Sequence, residues 1–258
     1  MRLSHIAEIE EHGYTKIRAG YSTHTINEAL DKIKHLYETT PRLADQYVPR
    51  LNKSSPNLYN LQNKDFFFID LLLGNDEIDG ILRHFLNDPY YKTIPQSDPN
   101  YVLRHMGARS SGEALVPHID NFIPFIGPKP LAMQVAIMLE ESTPENGCTT
   151  VLPGSHQSGR YASLDDIENL VPLAAKPGDV LIWDSRLIHS TTKNTSGNTR
   201  WSIVSTFTIW AIKQMFRTTQ SLPREFYEKL TEKQKTVLGY RSISAFDEFE
   251  YIDPKTGY

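Results

Sequence analysis

Apolar residues recur along this chain with two different periods, and the change of period divides it. Leu3, Ile6, Ala7 and Ile9 fall on one face of a short helix that stops at Gly13, and residues 14–17 follow as a brief strand. Ile26, Leu30, Ile33 and Leu36 repeat at helical spacing, with Thr25 as the expected N-cap and Glu28 completing a capping box. Residues 39–62, rich in Pro, Asn, Ser and Tyr, read as an irregular excursion, either a surface loop or a cover over a pocket. Helical stretches are expected at 66–73 and 77–86. From residue 101 the pattern becomes short apolar runs at 101–103, 131–139, 148–152, 180–183 and 201–209. Between them lie turn clusters such as Pro128-Lys129-Pro130, Glu145-Asn146-Gly147 and Pro177-Gly178-Asp179. Short strands separated by turn signals predict a β-sandwich or barrel. After Trp210 a helix is expected at 224–236, then a polar tail. The organisation predicted is one domain over 1–258, mainly helical in 1–100, a barrel core in 101–210 and a helical extension in 211–258.

Composition narrows the class. The 258 residues carry a formal charge of −4, and the cations are scattered, which argues against nucleic acid or an anionic membrane surface as partner. Cys148 is the single cysteine, excluding an internal disulfide, a thiolate cluster and a CxxC redox pair. No run approaches the roughly 18 apolar residues of a membrane span, and the N-terminal apolar positions are broken by charge. A soluble, cytoplasmic protein is expected, with its oligomeric state open.

Among the histidines, His118 and His189 are the informative ones. In Pro117-His118-Ile119-Asp120 an imidazole and a carboxylate stand two residues apart, so an extended backbone points both to one side. His189 follows 71 residues later, just after the expected strand at 180–183. Two histidines and one carboxylate compose the facial triad of Fe(II) oxygenases, which leaves coordination positions open for a cosubstrate and O₂. An HxD pair alone does not separate a metal site from ordinary surface residues. Arg200 adds weight: a hairpin through 194–198 would return its guanidinium close to His189, where it could grip a carboxylate with two parallel bonds.

Three blocks carry a family resemblance: residues 116–120 with the metal pair, 134–156 (QVAIMLEESTPENGCTTVLPGSH) and 176–200 (KPGDVLIWDSRLIHSTTKNTSGNTR). In these, and in Gly13-Tyr14 near the start and Gly239-Tyr240-Arg241 near the end, the chain resembles the phytanoyl-CoA dioxygenase family of Fe(II)/2-oxoglutarate oxygenases. The resemblance implies an α+β, mainly β fold: a double-stranded β-helix, that is, a jelly-roll or cupin-like barrel, flanked by N-terminal and C-terminal helices. It implies His118, Asp120 and His189 as iron ligands and Arg200 as the anchor of 2-oxoglutarate, with Thr191 assisting. Gln134, Arg104 and Trp183 are expected near the cosubstrate. His156 is read as part of a structural turn. Halogenating relatives carry a small residue where Asp120 stands, so a carboxylate there favours hydroxylation.

The implied reaction couples Fe(II), 2-oxoglutarate and O₂ to oxidation of a small molecule, with succinate and CO₂ as co-products. Desaturation, cyclisation and epimerisation stay open, as does a non-catalytic metal-binding barrel. Substrate contacts are expected from Asn121, Phe122 and Phe125 after the metal pair. Trp210, Phe216 and Arg217, with Lys213 and Met215, are expected to form another wall. No concentrated basic surface suits a coenzyme A phosphate, which favours a natural product or metabolite as substrate.

Overall fold

The computed structural model describes residues 2–40, 56–91, 94–121 and 123–242. Among these residues ten strands form two antiparallel sheets, as expected of a double-stranded β-helix. The larger has the order β1-β8-β5-β10-β3-β2 and the smaller the order β4-β9-β6-β7. The strands of the larger sheet are β1 (Tyr14–Ile17), β2 (Asn57–Tyr59), β3 (Tyr101–Arg109), β5 (Ala132–Met138), β8 (Val180–Asp184) and β10 (Ser202–Ile209). Those of the smaller are β4 (Leu115–His118), β6 (Thr149–Val151), β7 (Val171–Pro172) and β9 (His189–Thr191).

Alternation along the larger sheet divides its side chains between two cores. Met133, Val135 and Ile137 of β5, Val180 and Ile182 of β8, and Ile203 and Phe207 of β10 face the helices. Those helices are α1 (Arg2–His12), α2 (Thr23–Thr39), α3 (Phe66–Leu73) and α4 (Asp76–Leu86), which supply Ile9, Ile26, Ile33, Phe68 and Ile81 to the same core. The opposite positions, Gln134, Ala136, Met138, Trp183, Ser202, Val204 and Thr206, face a cavity. Strand β5 is buried at every position because it is covered on both sides, which is why its sequence runs apolar instead of alternating.

Three local expectations need correction. Helix α2 begins at Thr23 and its N-cap is Ser22, whose Oγ accepts from the Thr25 amide at 3.2 Å; Thr25 lies inside the first turn, since the serine upstream meets that orphan N–H. The stretch 224–236 is not one helix. It splits into α6 (Arg224–Tyr227) and α7 (Glu232–Val237), after the short α5 (Thr218–Ser221), because Thr231 and Gln234 form a capping box that starts a new helix. The excursion at 39–62 contains β2 and a 3₁₀ turn at Leu61–Asn63; residues 41–55, where a cover was considered, lie outside the described residues. No helix among the described residues is long and apolar enough to cross a membrane.

Candidate active site

The site is built where the two sheets face each other. In the smaller sheet His118, the last residue of β4, pairs directly with His189, the first of β9. Asp120 lies in the turn after β4, and its amide and that of Asn121 both donate to the Ser185 carbonyl, at 2.9 and 3.0 Å. That carbonyl belongs to the turn between β8 and β9. The turn is held by Arg186, which donates to both carboxylate oxygens of buried Asp184 and, through Nη1, to the Gly127 carbonyl at 2.8 Å. One braced turn therefore positions Asp120 and launches His189.

Candidate ligand atoms of His118, Asp120 and His189 lie within 4.8 Å of one another. Asp120 Oδ1 is 3.9 Å from His118 Nε2, and Oδ2 is 3.3 Å from His189 Nε2. Each imidazole has Nδ1 against the carbonyl two residues earlier: His118 on Val116 at 2.9 Å, His189 on Leu187 at 3.0 Å. A carbonyl accepts only, so Nδ1 carries a proton, and Nε2 is the ring nitrogen turned toward Asp120. Trp183 Nε1 donates to Asp120 Oδ2 at 3.3 Å. Burial, and then the neighbouring His189, lower the His118 pKa against the opposing pull of Asp120. Two imidazoles and a carboxylate on one side are a donor set that fits Fe(II).

These groups open on a cavity of about 450 Å³, which Arg200, Thr191, Gln134, Arg104 and Trp183 also line. Arg200 is only 4% exposed, yet its Nε has no hydrogen-bond partner. Burial, and then Arg109, bring its pKa down to about 10, which leaves it charged at neutral pH. The hairpin expected to deliver it does not exist. Strand β9 pairs with β4 and β6, whereas Arg200 leads into β10 of the larger sheet; it reaches the cavity because the sheets face each other. Thr191 Oγ1 accepts from the Leu115 amide at 3.1 Å. Gln134 Oε1 accepts from Thr206 Oγ1 at 2.8 Å, an orientation held from within the sheet.

The expected substrate residues divide. Met215 lines the cavity, and the Phe216 ring lies 5.7 Å from that of His105, which also lines it. Phe125 is not on the cavity wall: its ring lies under the Arg186 guanidinium at 4.8 Å, where the cation holds it. Trp210 is a strut, stacked on Tyr91 at 4.2 Å and donating to Asp88 at 3.0 Å. Arg217 is exposed at the start of α5, and Asn121 sits beside the triad without lining the cavity. Phe122 lies outside the described residues. His156 packs against α1, with Nε2 3.3 Å from the Glu10 carbonyl.

Sequence reasoning missed His105, Arg109 and Tyr59, all on the cavity wall. Tyr59 and His105 rings stand 5.9 Å apart. Burial, then Arg104, hold the His105 pKa down at about 4, so the ring is neutral near pH 7.

Residues 9–202 match the family model described as phytanoyl-CoA dioxygenase (PhyH). The chain belongs to the phytanoyl-CoA dioxygenase family. It is accordingly an enzyme of the 2-oxoglutarate-dependent oxygenase type, with Fe(II), 2-oxoglutarate and O₂ as its cofactor and cosubstrates. Among relatives, the dioxygenase af480 of Aspergillus fumigatus is 25% identical over 92% of this chain and 76% of its own length. Phytanoyl-CoA dioxygenase 1 of Oryza sativa subsp. japonica is 22% identical over 75% of this chain and 84% of its own. Among solved structures, the epimerase SnoN from nogalamycin biosynthesis matches with a TM-score of 0.62 at 18% identity, covering 81% of this chain and 82% of SnoN. HygX from Streptomyces hygroscopicus gives 0.63 at 13% identity, covering 82% of this chain and 88% of HygX. At those identities the likeness is one of fold.

Proposed function

We propose that this family member hydroxylates a C–H bond of a small molecule, a natural product or metabolite, with succinate and CO₂ as co-products. His118 Nε2, His189 Nε2 and the Asp120 carboxylate would hold Fe(II). Arg200, with Thr191 lining the same cavity, would take the distal carboxylate of 2-oxoglutarate. One observation carries this reading: a buried guanidinium with an unpartnered Nε lines the same cavity as the three ligand atoms. A buried polar group without a partner is expensive, and a carboxylate arriving in the cavity relieves that cost.

Bound iron supplies the oxidising power that activates O₂ at the expense of the keto acid. The chain's residues supply geometry. The two Nδ1 anchors fix the imidazole planes, and Trp183 orients the Asp120 oxygen it touches. The β8–β9 turn holds Asp120 against both histidines. The Asp120 carboxylate would take a coordination position that a halide needs, which supports oxygen transfer as the outcome. Small-molecule substrates are in keeping with the fold neighbours, of which SnoN was crystallised with nogalamycin RO and HygX with hygromycin B.

Anaerobic addition of Fe(II) and 2-oxoglutarate should generate the charge-transfer absorbance of a chelated keto acid. His118→Ala should abolish it while circular dichroism stays unchanged. With O₂, wild type should release succinate, and a turned-over substrate should gain one oxygen atom from ¹⁸O₂. A product short of two hydrogens with no label would replace hydroxylation by desaturation. Normal hydroxylation by Asp120→Ala would sink the ligand assignment.

A further inference from the structure

A second guanidinium faces the cavity and has no part in the reading above. Arg109 closes β3, opposite Ser202 of β10 and Asn57 of β2, and lines the cavity on the same strand face as Gly107 and His105. Its Nε is buried without a hydrogen-bond partner, and among the described residues no carboxylate forms an ion pair with it. Arg109 raises the cost of charge on both Arg200 and His118, so it lies within electrostatic reach of the distal anchor and of the triad.

The charge count shows what is missing. Even with Arg104 left out, Arg109 and Arg200 face one cavity carboxylate, Asp120. A divalent metal and a dianionic keto diacid cancel each other, so loading the site leaves the cationic surplus in place. With its other end on the metal, the keto diacid would have one carboxylate left, which Arg200 would meet. Arg109 then still waits for an anion in a space where an unpaired charge is costly. Beside it stands an aromatic shelf: Tyr59, His105 and Phe216, with ring centroids 5.7 to 6.3 Å apart. Gly107 leaves that shelf open, since a Cβ there would come within 3.1 Å of the His105 ring edge.

We propose that Arg109 anchors an anionic group of the primary substrate, so that the enzyme acts on organic acids whose ring or apolar body lies against Tyr59, His105 and Phe216. This substrate class rests on the Fe(II)/2-oxoglutarate reading. The competing role for Arg109 is a second hand on 2-oxoglutarate.

The test uses the full chain with benzoate and benzamide as probes, which share a ring and differ in charge. Charge-transfer titration compares 2-oxoglutarate affinity in wild type, Arg109→Gln and Arg200→Gln. Arg109→Gln should stay within about threefold of wild type, and Arg200→Gln should weaken by about tenfold or more. Saturation-transfer NMR then follows the probes with and without Fe(II) and 2-oxoglutarate. Wild type should take up benzoate in preference to benzamide, Arg109→Gln should weaken benzoate by about tenfold, and Arg109→Lys should restore part of it. The proposal fails if Arg109→Gln loses 2-oxoglutarate as Arg200→Gln does. It also fails if benzoate ignores the substitution, or if wild type does not prefer the anion. A missing charge-transfer signal in wild type with Arg109-dependent benzoate uptake would remove the iron reading and leave the anion site standing.

Discussion

A buried arginine without a complete set of partners is a liability that a fold tolerates for a reason, and Arg200 is such a residue. Its charged form is penalised by burial and by Arg109, and its Nε is orphaned. The protein bears that cost, which in the proposed reading the cosubstrate carboxylate would offset on binding. Replacing Arg200 by Met should therefore separate binding from stability. The keto acid loses a charge-assisted bidentate contact worth about 1.5–3 kcal/mol, so its affinity in a charge-transfer titration should fall about 10- to 100-fold. The thermal midpoint of the metal-free chain should hold or rise, because a desolvated cation beside another cation has been exchanged for apolar volume. A midpoint that drops by several degrees would mean that Arg200 has a structural partner. His118 and His189 show the opposite economy: each is oriented by the carbonyl two residues before it, so the direction of the ring is settled within three residues of chain.

At the level of elements, the departure that shapes the site is the bulge in β3. Thr206 pairs with His105 and Phe207 with Leu103, so Arg104 is the extra residue. Leu103 and Met106 face the helices, and the two residues between them line the cavity. A bulge re-aims side chains in this way. It also explains why the strand was expected to end at 103: apolar positions 101, 103, 106 and 108 do not keep a period of two, so alternation fails halfway along. Arg109 was hidden by the same break. Strand β2 lies on the far edge of β3, where the Leu58 carbonyl would be 2.6 Å from a Cβ at position 107. Gly107→Ala should push β2 away and cost about 1–3 kcal/mol, read as a lower midpoint in urea with an unchanged slope. A wild-type midpoint in Gly107→Ala would show that β2 does not pack as described. Strands β4 and β9 escaped the reading for a different reason. With four and three residues (LVPH and HST), they are too short for an alternating apolar pattern to show.

For the molecule as a whole, the triad joins two strands of the smaller sheet through a turn that comes from the larger one. Ligands that bind only this arrangement must stabilise the entire fold by linkage. With Fe(II) at 100 times its dissociation constant, the gain is about 2.7 kcal/mol. For a chain of this size that corresponds to a rise of about 5–10 °C in thermal midpoint, reversed by a chelator. No shift with saturating ligand would contradict a site assembled across the fold. The sequence by itself determined the class of element along most of the chain, since burial on one face imposes a period that can be read locally. It also carried the family blocks, with His118, Asp120, His189 and Arg200 in their places. Only the tertiary structure decided how these meet. Arg200 arrives from the opposite sheet and not along a hairpin, Phe125 and Trp210 are held away from the cavity by Arg186 and Tyr91, and Arg109 and His105 enter it. Periodicity records whether a residue is buried, whereas which buried side chains share a cavity depends on contacts between residues far apart in the chain.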